Sequence, residues 1–172
     1  MKASHTNLES TSATLRPRFE SHGPLLIAGL QAHYTFKTLD DIPKQWERFV
    51  PQIGSVRGRM GEAAYGLCID TSAGSEGFDY VTGVQVADLA NLPAEWVGAR
   101  IPAQTYAIFS HSGHVSTIRD TVHAIWEDWL PKSGREPAPT SRGEPNLIEQ
   151  YGRQFDPKTG TGDIELWLPI KA

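Results

Sequence analysis

What most constrains this chain is an order of elements that occurs twice. From Leu15 to Phe36 the residues are rich in β-formers and are broken at Gly23-Pro24. That pattern predicts a bent strand, or two strands, over Leu15–His22 and Leu25–Thr35. Thr38-Leu39-Asp40-Asp41 then reads as a helix start, with a capping Thr and acids at the positive end of the dipole. Ile42, Trp46, Phe49, Val50 and Ile53 recur at helical spacing until Gly54, so a helix is expected over Leu39–Ile53. After a glycine-bearing loop from Gly54 to Ala63, Ala64–Asp70 and Phe78–Val86 form a predicted hairpin, joined by turn formers from Thr71 to Gly77. Leu89–Ala94 is a connector and Trp96–Ile101 a further strand.

The same order then begins again. Gln104–Ser110 alternates as a strand. Ile118, Val122, Ile125, Trp126, Trp129 and Leu130 make an apolar helical stripe, which places a second helix at Val115–Leu130, stopped by Pro131 and Gly134. A Pro/Gly-rich loop from Ser133 to Pro145 precedes a closing hairpin, Asn146–Phe155 and Ile164–Ile170. Each β-α-β-β unit is too small to bury both faces of its own elements. The expected fold is therefore α+β: pseudo-two-fold duplicated β-α-β-β units whose strands join into one antiparallel sheet. Two helices lie on one face and a concave ligand groove on the other. Residues 1–14, Ser/Thr-rich and without apolar period, read as a disordered tail. Residues 15–172 read as a single domain, with repeat one at about 15–95 and repeat two at about 96–172.

Composition narrows the function classes. In 172 residues, 16 basic and 20 acidic side chains leave a net charge of −4, and no Lys/Arg run supplies the footprint of a duplex-DNA reader. No apolar stretch approaches the roughly 18–20 residues of a membrane span, and the polar N-terminus lacks the core of a signal peptide. One cysteine, Cys68, is expected as a small buried hydrophobe in a reducing compartment, so a cytoplasmic location is expected. His111 and His114 fall in a Ser-His-Ser-Gly-His turn without a third ligand at motif spacing, and are read as a solvated turn. Nothing fits a nucleophile elbow, a phosphate loop or a calcium loop, so neither metal nor cofactor is expected.

The repeat order, the strand phrase IPAQTYAIFSHSGHV (Ile101–Val115), the helix phrase IWEDWLP (Ile125–Pro131) and the closing pair NLIEQYGRQFDP and GDIELWLPI resemble the GyrI-like effector-binding domain. The resemblance spans Leu15 to Ile170. It implies a pseudo-two-fold domain whose central cleft takes lipophilic, often cationic or aromatic, compounds. Such domains occur at the C-terminus of AraC-type and MerR-type activators and as stand-alone gyrase inhibitors or hydrolases of cyclopropyl compounds. The family's cleft glutamate, set in Glu-x-Tyr, corresponds to Glu149 of Glu149-Gln150-Tyr151. About a dozen polar residues precede the domain, with no helix-turn-helix segment, so this chain is not expected to bind DNA directly.

Strand alternation puts Leu147, Glu149 and Tyr151 on one face and Ile148 and Gln150 on the other. Glu149 reads either as a hydrogen-bonded strand residue or as a cleft carboxylate, its pKa raised by burial and drawn back by a bound cation. Tyr65, Tyr106, Tyr151 and Trp167 are the expected stacking residues, with Trp96 at the rim. Glu165, Trp167 and Pro169 share the face away from the helices. Trp46, Trp126 and Trp129 fall on apolar helical stripes and read as core; Tyr34 fits either role. The leading expectation is a stand-alone small-molecule-binding protein that senses or sequesters its ligand. An alternative is a hydrolase opening electrophilic cyclopropyl compounds, with Glu149 as general base and Tyr151 or Tyr106 orienting. A second alternative is an interaction protein that restrains gyrase. The expected partners are the ligand, a DNA-binding regulator or gyrase, or a second copy of the chain; no membrane is expected.

Overall fold

The computed structural model describes residues 15–70 and 76–172. The expected tail and most of the Thr71–Gly77 turn lie outside the described residues. The strands are β1 (Arg18–His22), β2 (Leu25–Tyr34), β3 (Arg59–Asp70), β4 (Phe78–Val86), β5 (Val97–Ile101), β6 (Gln104–His111), β7 (Leu147–Tyr151) and β8 (Ile164–Ile170). They form one eight-stranded sheet in the order β1-β6-β8-β7-β3-β4-β2-β5, with every described pairing antiparallel.

That order has a pseudo-two-fold axis between β7 and β3. The core of each half is a β-α-β-β unit, but its outermost strand comes from the other half: β1 pairs β6, and β5 pairs β2. Proline explains why β1 does not fold back on β2. Gly23-Pro24 and Pro102-Ala103 join the leading strands to their successors, and a residue before proline is held extended. The chain therefore continues across to the other half at both places. The registers converge on one central pair, Gly66 of β3 opposite Glu149 of β7, which the pseudo-symmetry exchanges with each other.

Both helices depart from the expected uniform coil. The first is a 3₁₀ turn at Leu39–Asp41, then α1 (Ile42–Phe49), then a 3₁₀ stretch at Val50–Ser55. Pro43 is tolerated in the first turn of α1, whereas Pro51 has no N–H to continue the α ladder. The second runs past its expected end: a 3₁₀ turn at Val115–Thr117, α2 (Ile118–Ala124), a π turn at Ile125–Trp129 and α3 (Leu130–Ser133). The wider π turn makes room for the ring of Pro131, so the stop falls at Gly134, which caps in the left-handed region at φ 71°.

The two helical segments cover the same sheet face in two patches. Phe49 and Trp46 pack with Leu30, Val84 and Trp96. Ile125 and Trp129 pack with Phe109, Leu147, Leu166 and Leu168. The other face has no helix over it, yet its residues are buried. Ile27, Ala99 and Ile101 near one edge form one cluster with Tyr106, Ile108 and Trp167 near the other. Side chains buried this fully with no helix over them require the sheet to curl, so that its inner side chains cover one another. The groove expected on this face is filled by the protein's own aromatics.

Candidate functional site

Glu149 stands on the helix-bearing face, between the patch covered by α1 and the patch covered by the second helix. It is only 8 % exposed. Its symmetry mate is Gly66, and that pairing gives the carboxylate its space. A Cβ at Gly66 would sit 2.6 Å from Glu149 Oε1 and still closer to the Tyr80 hydroxyl. A side chain on both members of the central pair would not fit.

The Tyr80 hydroxyl donates to Glu149 Oε1 at 2.6 Å, and the Tyr151 hydroxyl donates to the same oxygen at 2.8 Å. The indole N–H of Trp46 donates to the Tyr80 oxygen at 3.1 Å. The result is a chain of donors, Trp46 to Tyr80 to Glu149, with Tyr151 joining from the same strand. The Trp46 ring meets Tyr151 edge-on at 5.1 Å, and the Phe155 ring also meets Tyr151 edge-on, at 5.0 Å. Gln45 fixes α1 over this group: it accepts from the Tyr34 hydroxyl at 2.7 Å and donates to the carbonyls of Leu30 and Tyr80 at 2.9 and 3.1 Å.

The electrostatics follow from this burial. Desolvation raises the Glu149 pKa above its ordinary 4.5, opposed by the bonds from Tyr80 and Tyr151 and by His111. Burial and the neighbouring carboxylate push both phenols well above 10.0, so they stay protonated donors. A carboxylate that is buried, raised in pKa and surrounded by rings gains most from a partner that restores its charge. An organic cation with aromatic groups has that chemistry.

The structure divides the expected site residues. Glu149 and Tyr151 adjoin as the alternation predicts, and Trp46 and Tyr80 complete the group. Trp46 was read as core because a helical stripe marks a face without marking depth; it is half-buried. Tyr80 carried no local signal, since its place beside Glu149 depends on the β3–β4 and β3–β7 registers together. Tyr65, Tyr106 and Trp167 lie on the opposite face, inside the curled sheet. Trp96 is 7 % exposed, donates to Gln52 Oε1 at 3.0 Å and packs on Phe49, away from Glu149. Tyr34 is buried. The expected solvated histidine turn holds for His114, which is exposed; His111 is buried, its ring bonded to Thr121 Oγ1 at 2.7 Å and to the His114 carbonyl at 3.0 Å. Burial follows from alternation, which puts His111 on the helix face beneath the start of the second helix.

The fold has counterparts among known proteins. A family model described as the GyrI-like small molecule binding domain matches residues 16–171. The transcriptional regulator BrlR of Pseudomonas aeruginosa is 32 % identical over 133 residues, which is 76 % of this chain and 47 % of BrlR. The chain thus spans about half the length of this curated relative. Among solved structures, SAV2435 bound to tetraphenylphosphonium superposes with a TM-score of 0.69 at 18 % identity, covering 91 % of this chain and 94 % of that one. The C-terminal domain of EcmrR superposes with a TM-score of 0.65 at 15 % identity, covering 92 % and 98 %. A putative transcription regulation protein of Staphylococcus aureus matches at 0.66 and 19 %, covering 92 % and 99 %.

Proposed function

From a chain that belongs to the GyrI-like small molecule binding domain family, we propose a receptor for lipophilic aromatic cations, with Glu149 as the charge-selecting group. The observation that carries this reading is the buried Glu149 carboxylate, with two phenols on one oxygen and the rings of Trp46 and Phe155 packed against Tyr151. The SAV2435 structure, with tetraphenylphosphonium bound to the same fold, supports the ligand class. An entering cation displaces or slides beneath the half-buried Trp46 indole, meets ring faces, and holds Glu149 ionised. At about 5 Å and an effective dielectric constant near 20, that attraction is about 3 kcal/mol before desolvation costs.

The role is sensing or sequestration, by binding and without covalent chemistry. Its place is the cytoplasm, and its protein partner is a DNA-binding regulator, gyrase or a second copy. Among the described residues no helix is long and apolar enough to cross a membrane. The test is a thermal-shift titration with tetraphenylphosphonium on wild type and Glu149→Gln, which keeps an oxygen for both phenols. The reading expects saturable stabilisation of the wild type and at least tenfold weaker binding by the variant. Equal affinity in both proteins would sink charge selection.

A further inference from the structure

The curled face holds a chemical arrangement opposite to that around Glu149. Among the described residues, the Tyr106 hydroxyl and the Trp167 indole N–H are the fully buried side-chain polar atoms without a hydrogen-bond partner. Tyr106 is 0 % and Trp167 4 % exposed, and their rings touch at 5.3 Å. Leaving one buried donor unpaired costs about 1–3 kcal/mol, and native proteins leave few. Two in one contacting pair, on a face otherwise packed mainly with apolar side chains, point to an acceptor supplied from outside the chain.

The way in is identifiable. His22 stacks on Trp167 at 4.6 Å and meets Tyr106 edge-on at 6.0 Å, closing the cluster at the β1–β6 end. Its side chain is anchored by one bond at 2.8 Å to Glu20, itself on the surface. Outside His22 lies a shallow depression lined by Gln104, Thr105, Ala138, Pro139 and Lys171. Tyr106 remains a donor at neutral pH, because burial and the Glu144 carboxylate push its pKa up to about 12.

We propose that Tyr106 and Trp167 form a second small-molecule site, gated by His22, for a neutral planar aromatic compound bearing a carbonyl or similar acceptor. Ring contact with Trp167 and His22 selects a planar molecule. Two donors with no acceptor between them select an acceptor. The nearby Glu20 and Glu144 carboxylates disfavour an anion, and Glu165, the carboxylate that shares this face, is already paired with Arg18 and so is not free to hold a cation. This site stands on the opposite sheet face from Glu149 and does not depend on the proposed cation site.

Coumarin is a suitable probe, a neutral planar ring system with one carbonyl. Coumarin titrated into the full chain should shift the Trp167 indole N–H resonance downfield while leaving that of Trp46 in place. By calorimetry, affinity should fall at least tenfold in Tyr106→Phe/Trp167→Phe and stay within twofold of wild type in Glu149→Gln. His22→Ala, which opens the gate without touching either donor, should speed coumarin association. An unmoved Trp167 resonance at saturating coumarin would overturn the site, showing the two donors to be served by buried water alone. Equal coumarin affinity in the double variant would overturn it as well. If the double variant fails to fold, the wild-type resonance decides. Loss of tetraphenylphosphonium binding in Glu149→Gln alongside retained coumarin binding would separate the two sites.

Discussion

Glu149 and Trp167 stand on adjacent strands, one residue out of register, and face opposite sides of the sheet. On the helix side, one acceptor is served by two phenolic donors, with a third donor, Trp46, behind them. On the curled side, two donors are packed among apolar residues with no acceptor. The difference teaches that burial alone does not make a polar group costly. The Glu149 group offsets part of its desolvation with short bonds to one carboxyl oxygen, and the Tyr106–Trp167 pair carries an uncompensated cost. One face is polar and internally satisfied, so a ligand there competes for charge. The other is unsatisfied, so a ligand there supplies what is missing.

The largest expected effect comes from filling the central pair. Gly66→Ala drives a methyl into Glu149 Oε1 and the Tyr80 hydroxyl and should cost about 2–3 kcal/mol, the upper range for overpacking a core. Gly23→Ala, where a Cβ meets nothing within 4 Å, serves as control. Equal melting temperatures for the two variants would show that the pair has slack which the geometry denies.

Next comes the same chemical change made on each face. Tyr80→Phe removes a donor to the carboxylate and an acceptor for Trp46, and should cost about 1.5–3 kcal/mol in denaturant unfolding. Tyr106→Phe removes a hydroxyl that has no partner and should be neutral or stabilising by up to about 1 kcal/mol. A Tyr106→Phe loss as large as that of Tyr80→Phe would erase the contrast between the faces.

How much of this was legible in the sequence depends on whether the information was local. The duplication, the strands and the split of Glu149 from Ile148 follow from period and punctuation, because alternation acts within one strand. The α1 boundaries shifted because Pro51 acts on the hydrogen-bond ladder, which a pattern of apolar residues does not report. Tyr80, Gly66 and Trp46 join Glu149 through strand register and helix placement, which are relations between segments far apart in the chain. The filled groove has the same origin. That Tyr65, Tyr106 and Trp167 leave the helix face is visible in alternation, but the curling that buries them comes from the whole sheet.

The smallest expected effect is a pH dependence confined to the helix side. The folded pKa of Glu149 is raised, so the folded state holds its proton more tightly than the unfolded chain does. Its contribution to stability is therefore greatest below about 4.5 and declines as pH rises through the folded value. Ionisation then puts an unpaired charge in the interior. Stability of Glu149→Gln relative to wild type should rise with pH over that window, as measured by urea unfolding. Tetraphenylphosphonium affinity in the wild type should rise over the same window, because the cation favours the ionised form. A stability difference that is flat from pH 4 to 8 would mean that the carboxylate is not shifted by burial.

The central claim is that the cation site lies over Glu149 on the helix-bearing face. The chain has five tryptophans, and their indole N–H resonances report the two faces separately. In a titration with tetraphenylphosphonium, the Trp46 resonance should move and saturate while that of Trp167 stays in place. Movement of Trp167 with Trp46 unchanged would put the cation inside the curled sheet and contradict the account.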